Sequence, residues 1–289
     1  MSRNMSVSSK SPLYQLNFRA KKRLGQHFLT NEDVVECILA AAELGKDDTV
    51  IEVGPGMGIL TTRIAKIAST VIAVELDSKL VKALLKYKTD FPNIRVVHGD
   101  ILKFKPPQLL EYRLNPTEFF SGYKVVANLP YYITNPILYH FLASPQKPSL
   151  MVLMVQKEVG EAMVAMPGKM SFLSVSTQLY SKPQIIRQVP AKDFYPVPKV
   201  DSVVLRLDVY RTPLIDSCNI EDFFHIVHCG FRAPRKQIHN SLALALEIPS
   251  SQIQILLEEA SIEPKRRPET LSLQEWKQLY KVFLPLISN

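Results

Sequence analysis

From residue 30 onward the chain alternates between two hydrophobic periods. Thr30 and Asn31 are helix-capping side chains. Val34, Val35, Ile38, Leu39 and Ala42 then recur along one helix face, so a helix is expected through Leu44. Short β-branched runs follow, separated by helical stretches. Strands are expected over 49–53, 71–75, 94–97, 124–127 and 150–155, with helices near 59–68, 78–88, 136–142 and 158–166. This alternation predicts a parallel sheet with helices on both faces, which binds ligands at the carboxyl ends of its strands. The pattern then changes. Residues 172–180 read as a helix, and 184–189 and 202–209 as strands of an antiparallel edge pair. Past Thr212 strand signals stop, and 221–231, 235–245, 250–260 and 272–284 read as helices. Arg211-Thr212-Pro213 breaks the pattern. The expected organisation is a basic tail over 1–20, an α/β domain over 21–211 and a helical domain over 212–289.

Composition narrows the possibilities. The 289 residues are 46% hydrophobic and 21% charged, enough to bury a core and too apolar for wholesale disorder. The net charge of +8 is unevenly placed. Arg3, Lys10, Arg19, Lys21, Lys22 and Arg23 fall within the first 23 residues, which contain no acid. Such an arm suits a polyanionic partner, and it also reads as a solvated tail or an organelle-type targeting segment. Cys37, Cys218 and Cys229 are scattered and odd in number, as expected for reduced thiols in a reducing compartment. No apolar run approaches the ~20 residues that span a bilayer. His225, His228 and Cys229 lie close in sequence without a further ligand cluster, so no metal site is expected.

Chemistry concentrates at the strand ends. Val50-Ile51-Glu52-Val53-Gly54-Pro55-Gly56-Met57-Gly58 runs a hydrophobic strand into a glycine turn that opens a helix. Glycines there let backbone amides approach a ligand. The dinucleotide pattern G-x-G-x-x-G fails, because its third glycine would fall at Ile59; the E-x-G-x-G-x-G present instead resembles motif I of class I S-adenosylmethionine-dependent methyltransferases, which implies the roles of the two acids that follow. Glu75 ends the next strand, 21 residues after Gly54, where a carboxylate can accept from two ribose hydroxyls. Asp100 follows the third strand and suits an adenine amino group. After the fourth strand comes Asn128-Leu129-Pro130-Tyr131, which resembles the N/D-P-P-Y/F/W class of motif used by methyltransferases that modify exocyclic amino groups. An adenine N6 lone pair is delocalised into the ring and is a poor nucleophile. The Asn128 side-chain carbonyl and the Leu129 backbone carbonyl would accept its two N–H bonds, favouring a pyramidal nitrogen. Pro130 stiffens the turn, and Tyr131 offers a stacking face. Phe194, in Asp193-Phe194-Tyr195-Pro196-Val197-Pro198, is expected to close over the other face of a flipped base.

The segments 22–29, 52–58, 75, 99–100, 128–131, 194–202 and 231–236 occur in the order seen in KsgA-type ribosomal RNA small-subunit adenine dimethyltransferases, which the chain resembles over about residues 18–285. The resemblance implies a Rossmann-like class I methyltransferase fold with a mostly parallel seven-stranded sheet and a small all-helical C-terminal domain. It implies S-adenosylmethionine as cofactor, held by His27, Leu29, Glu52, Gly54, Gly56, Glu75, Asp100 and Asn128. The implied reaction is N6,N6-dimethylation of two adjacent adenosines in the 3′-terminal hairpin loop of 16S rRNA, on a 30S-type assembly intermediate. Asn128, Leu129, Pro130, Tyr131 and Phe194 are the implied catalytic residues. Lys21, Lys22, Arg23, Arg232, Arg235 and Lys236 are the expected phosphate contacts, with 265–267 a further basic cluster. A cytoplasmic monomer without membrane attachment is expected. Many relatives carry Asn where this chain has His27, which can also donate a hydrogen bond. The alternatives are a large-subunit rRNA adenine methyltransferase of the macrolide-resistance type and a non-catalytic ribosome-assembly or transcription factor on the same fold.

Overall fold

The structure, a computed structural model, describes residues 20–21, 24–113, 122–215 and 220–287, with 286 and 287 as backbone only. Lys22, Arg23, Cys218 and most of the expected tail lie outside the described residues. The strands are β1 (Phe28–Leu29), β2 (Thr49–Val53), β3 (Thr70–Glu75), β4 (Ile94–His98), β5 (Tyr123–Asn128), β6 (Leu150–Gln156), β7 (Ser181–Val189), β8 (Phe194–Tyr195) and β9 (Ser202–Val209). Helices α1 (Glu32–Ala42), α2 (Ile59–Ala65), α3 (Ser78–Leu85), α4 (Pro106–Leu110) and α5 (Thr134–Leu142) separate the first strands. Then come α6 (Lys157–Met163), α7 (Phe172–Tyr180), α8 (Ile220–Phe231), α9 (Ile238–Leu246), α10 (Ser250–Glu259) and α11 (Leu273–Ile287).

Seven strands form one sheet in the order β4-β3-β2-β5-β6-β9-β7. The pairs β2–β3, β2–β5, β3–β4 and β5–β6 are parallel. Every residue of β2 and β3 is buried, as for strands covered on both faces. In β6, Leu150, Val152 and Met154 join a core cluster with α1 and α2, while Met151, Leu153 and Val155 are buried on the opposite face. β7 lies at the edge, and its burial alternates along the strand. Pro183 is tolerated there because an edge strand need not donate every N–H.

Residues 106–110 form a short helix with proline in its first turn, and 114–121 lie outside the described residues. The chain also packs as two compact units that do not divide at 211. One comprises the residues up to Lys157 with Ile186–Arg206, the other Glu158–Ile185 with Leu207–Asn289. Helix α7 belongs to the second unit through its side chains. Gln178 Nε2 donates to the carbonyls of Met163 and Ala165, Ser174 Oγ donates to Ala162, and Phe172 packs on Phe224. That unit buries Phe223, Trp276, Tyr280 and Phe283. Gly230 on α8 leaves room for the Trp276 ring, which a side chain there would strike.

Candidate active site

A cavity of about 790 Å³ opens at the carboxyl ends of β2 to β5. It is of the size that holds a cofactor. Its walls include Leu24–Thr30, the Glu52–Gly58 turn, Glu75, Gly99–Asp100 and Asn128–Ile133. The sheet explains why four of these five segments meet here, because parallel strands end on the same edge; Leu24–Thr30 joins them from outside the main sheet.

The glycine turn is shaped by its neighbours. Gly56 has φ +60°, and an added Cβ would sit 3.1 Å from the Phe28 ring. Gly58 has φ +82°, and a Cβ there would lie 2.8 Å from the Tyr87 ring. Its next residues begin α2, and within the turn the Gly54 N–H donates to Val74 O at 3.0 Å and the Gly58 N–H to Pro55 O at 2.9 Å. The Gly56 N–H donates to Glu75 Oε2 at 3.1 Å, and the Asp77 N–H to Glu75 Oε1 at 2.8 Å. Burial raises the Glu75 carboxyl above its usual range, and these two N–H groups pull it back only in part. A carboxylate has room for about four donors, so Glu75 keeps acceptor capacity for a ligand hydroxyl. Asp100 Oδ1 accepts from the Leu102 N–H at 3.1 Å and so fixes the loop after β4.

Glu52 is the most constrained acid. It is 1% exposed, and its Oε2 has no hydrogen-bond partner in the protein. Burial pushes its pKa up to about 8, outweighing the pull of the Thr61 hydroxyl. A buried carboxyl with a spare oxygen at a cavity wall suits a ligand bearing N–H donors.

The Asn128 amide is oriented by one contact. Its Nδ2 donates to the His27 backbone carbonyl at 3.0 Å, which leaves Oδ1 as an acceptor pointing elsewhere. The Leu129 N–H donates to Met154 O at 3.1 Å and anchors the turn on β6. Tyr131 is tied through its hydroxyl to Ser202 Oγ at 2.8 Å. Burial raises the Tyr131 phenol, which keeps it neutral.

Three expected site residues are engaged elsewhere in the structure. Phe194 does not face the cavity: it is 2% exposed, pairs with Leu29 across β1 and β8, and belongs to the core cluster behind the sheet edge. Its neighbour Tyr195, 47% exposed, takes the outward position, because successive strand residues face opposite ways. Lys21 is not a free phosphate contact: its Nζ lies 2.8 Å from the buried carboxylate of Asp77. Arg266 is likewise committed, to Glu275 and Thr270. His27 lines the cavity, but its Nδ1 lies 2.6 Å from the Pro196 carbonyl, and its ring stacks on Tyr131 at 5.8 Å. A carbonyl only accepts, so Nδ1 carries the proton.

Leu29, Glu52, Gly54, Gly56, Glu75, Asp100, Asn128, Leu129, Pro130 and Tyr131 all line the cavity. Arg232, Arg235 and Lys236 are exposed before α9, in the other unit. His225 sits 3.7 Å from Cys229 along α8, and His228 packs edgewise on Phe172. Sequence reasoning missed Asp77, Gln26 and Ser202. Asp77 carried one signal, an aspartate just ahead of a helical run, which is a capping position. Ser202 carried none.

Comparison with known proteins adds sequence and fold relationships. Residues 17–283 match the family described as ribosomal RNA adenine dimethylase. A ribosomal RNA small subunit methyltransferase A of Dehalococcoides mccartyi is 44% identical over 280 residues, 97% of this chain and 94% of that protein. The protein of the same name from Clostridioides difficile is 38% identical, covering 98% and 97%. Among solved structures, a dimethyladenosine transferase from Plasmodium falciparum superposes with TM-score 0.76 at 25% identity, over 90% of this chain and 98% of that one. The 23S rRNA methyltransferase ErmE gives TM-score 0.70 at 28% identity, over 88% and 98%. With a family match across nearly its whole length and relatives this similar end to end, the chain belongs to the ribosomal RNA adenine dimethylase family.

Proposed function

We propose that the chain transfers methyl groups from S-adenosylmethionine to N6 of two adjacent adenosines in the 3′-terminal hairpin loop of 16S-type rRNA, giving dimethyladenosine. The observation that carries this reading is the Asn128 amide, locked by the His27 carbonyl so that its oxygen is presented as an acceptor. The relatives named as small-subunit methyltransferases favour that substrate over the large-subunit alternative.

S-Adenosylmethionine supplies a methyl group already activated on a sulfonium, so the chain need only bind, orient and exclude water. Glu75 suits the ribose hydroxyls, Asp100 the adenine amino group, and the Gly54–Gly58 turn the close backbone approach. Glu52, with its unpartnered oxygen, suits the cofactor's ammonium end. Asn128 Oδ1 and the Leu129 carbonyl would hold the target amine and withstand positive charge as it forms. Tyr131 provides a ring beside the base. Phe194 serves as a base wall only if it leaves the core position it holds.

The exposed Arg232, Arg235 and Lys236 suit rRNA phosphates, with the folded RNA and the flipped base giving selectivity. A small-subunit assembly intermediate is the inferred form of the substrate, with the enzyme acting as a cytoplasmic monomer. Among the described residues no helix is long and apolar enough to cross a membrane.

Incubation with unmethylated small subunits and labelled S-adenosylmethionine, followed by nucleoside analysis, is expected to yield dimethyladenosine. Primer extension should place it in small-subunit and not large-subunit rRNA. Asn128→Ala should lower turnover by about 10²-fold or more, and near-normal turnover removes Asn128 from the chemistry. No transfer to either subunit by the unaltered protein favours the non-catalytic alternative.

A further inference from the structure

The segment from Leu24 to Thr30 forms one wall of the cavity. Polar side chains hold it in place, one of them Gln26 of the wall itself. Lys21 Nζ lies 2.8 Å from Asp77 Oδ2, and Gln26 Nε2 donates to the same oxygen at 3.2 Å. Gln26 Oε1 accepts from the Lys21 N–H at 2.8 Å, so the two residues brace each other. The Asp77 side chain is 0% exposed, whereas that of Lys21 is 34% exposed.

Asp77 reaches in two further directions. Its Oδ1 accepts from the Lys79 N–H at 3.0 Å and caps α3. Its own N–H donates to Glu75 Oε1 at 2.8 Å. Hydrogen bonds therefore run without a break from the N-terminal segment to the carboxylate at the end of β3.

We propose that Lys21, Gln26 and Asp77 form a latch that seats the 24–30 segment on the cavity, making Asp77 a positioning residue for the adenosyl cofactor through Glu75. This rests on reading the cavity as the cofactor site. Lifting the segment away strips a buried carboxylate of its cation and of an amide donor, and a carboxylate left so is costly. Closure is therefore favoured. The wall then stays where a ligand meets it, and the Asp77 N–H keeps Glu75 aimed. Burial pushes the Asp77 carboxyl up, yet bonds from Lys21, the Lys79 N–H and Gln26 outweigh it and hold the group below its usual range, so it is charged.

Asp77→Asn separates the latch from the helix cap, because asparagine caps helices as well as aspartate does. Lys21→Met keeps the aliphatic stem and removes the cation. Hydrogen–deuterium exchange on the ligand-free full chain reads the segment, and calorimetry with S-adenosylhomocysteine reads the site. In either variant, exchange over 24–30 is expected to accelerate about tenfold while α1 is unchanged, and Kd to rise about tenfold. The double variant is expected to be no worse than either single one. Unchanged exchange and Kd in both single variants overturn the latch. Faster exchange spread through α1 and the sheet overturns the positioning role by showing that Asp77 only supports the fold. A wild-type protein that fails to bind S-adenosylhomocysteine refutes the cofactor reading instead, and the exchange data then judge the latch alone.

Discussion

Single residues in this site are defined by what they are denied as much as by what they touch. Asn128 spends its amide N–H on a backbone carbonyl and keeps its oxygen. Glu52 is denied both water and a partner for Oε2, and its pKa moves from 4.5 to about 8. The folded protein thus retains a proton that the unfolded chain releases above about pH 4.5. The Glu52 contribution to stability is most favourable below that point. It falls as pH rises toward about 8 and is level beyond. Glu52→Gln cannot ionise and should lose this dependence, which amounts to at most about 1.4 kcal/mol per pH unit. Urea unfolding of both proteins at about pH 5 and about pH 8 checks it, since the difference between them isolates Glu52 from other titrating groups. An equal change in both proteins means that Glu52 ionises normally.

At the scale of elements, the glycine turn between β2 and α2 is fixed by packing from outside it. Gly58 combines φ +82° with the Tyr87 ring closing on the space a Cβ would fill. The Tyr87 hydroxyl also donates to the Met57 carbonyl at 3.2 Å, so the ring is not free to swing away. Gly58→Ala should cost about 1–2 kcal/mol for the backbone alone, with more for the displaced ring. The melting temperature should fall by several degrees in calorimetry, and affinity for S-adenosylhomocysteine should fall with it. A variant as stable as wild type would show that the turn accepts a side chain. The ribbon of β1 and β8 matters at the same scale. Two residues from each segment suffice to aim Phe194 inward and Tyr195 outward. Two-residue strands have no periodicity, so neither was visible in the sequence.

Across the whole molecule, one candidate phosphate-binding cluster and the cavity fall in different units. The cavity belongs to the unit with the sheet, and the exposed Arg232, Arg235 and Lys236 belong to the helical one. Replacing these three by alanine should weaken RNA binding and lower the slope of log K against log salt by about 2–3. Binding isotherms at several salt concentrations measure this, and an unchanged slope excludes the cluster from phosphate contact. The second unit also claims α6, α7 and the start of β7, which alternate with strands in the sequence as if they belonged with the sheet. Periodicity reports which face of a helix is buried and is silent on what buries it.

The sequence by itself determined the seven strands of the main sheet and all but one of the described helices, with approximate limits, and it marked out candidate site residues from Glu52 to Tyr131. Those follow from hydrophobic period, from glycines at a turn and from acids at strand ends, all of which act within a few residues. Only the tertiary structure decided the fate of individual side chains. Gln26 meets Asp77 across 51 positions, and His27 meets Pro196 across 169. A basic residue in an acid-free arm resembles a phosphate contact until a buried carboxylate is found beside it. A phenylalanine in a proline-rich loop resembles a base wall until the sheet edge takes it into the core. Partners brought together by long-range packing leave no local trace, because their attraction operates only after the chain has folded.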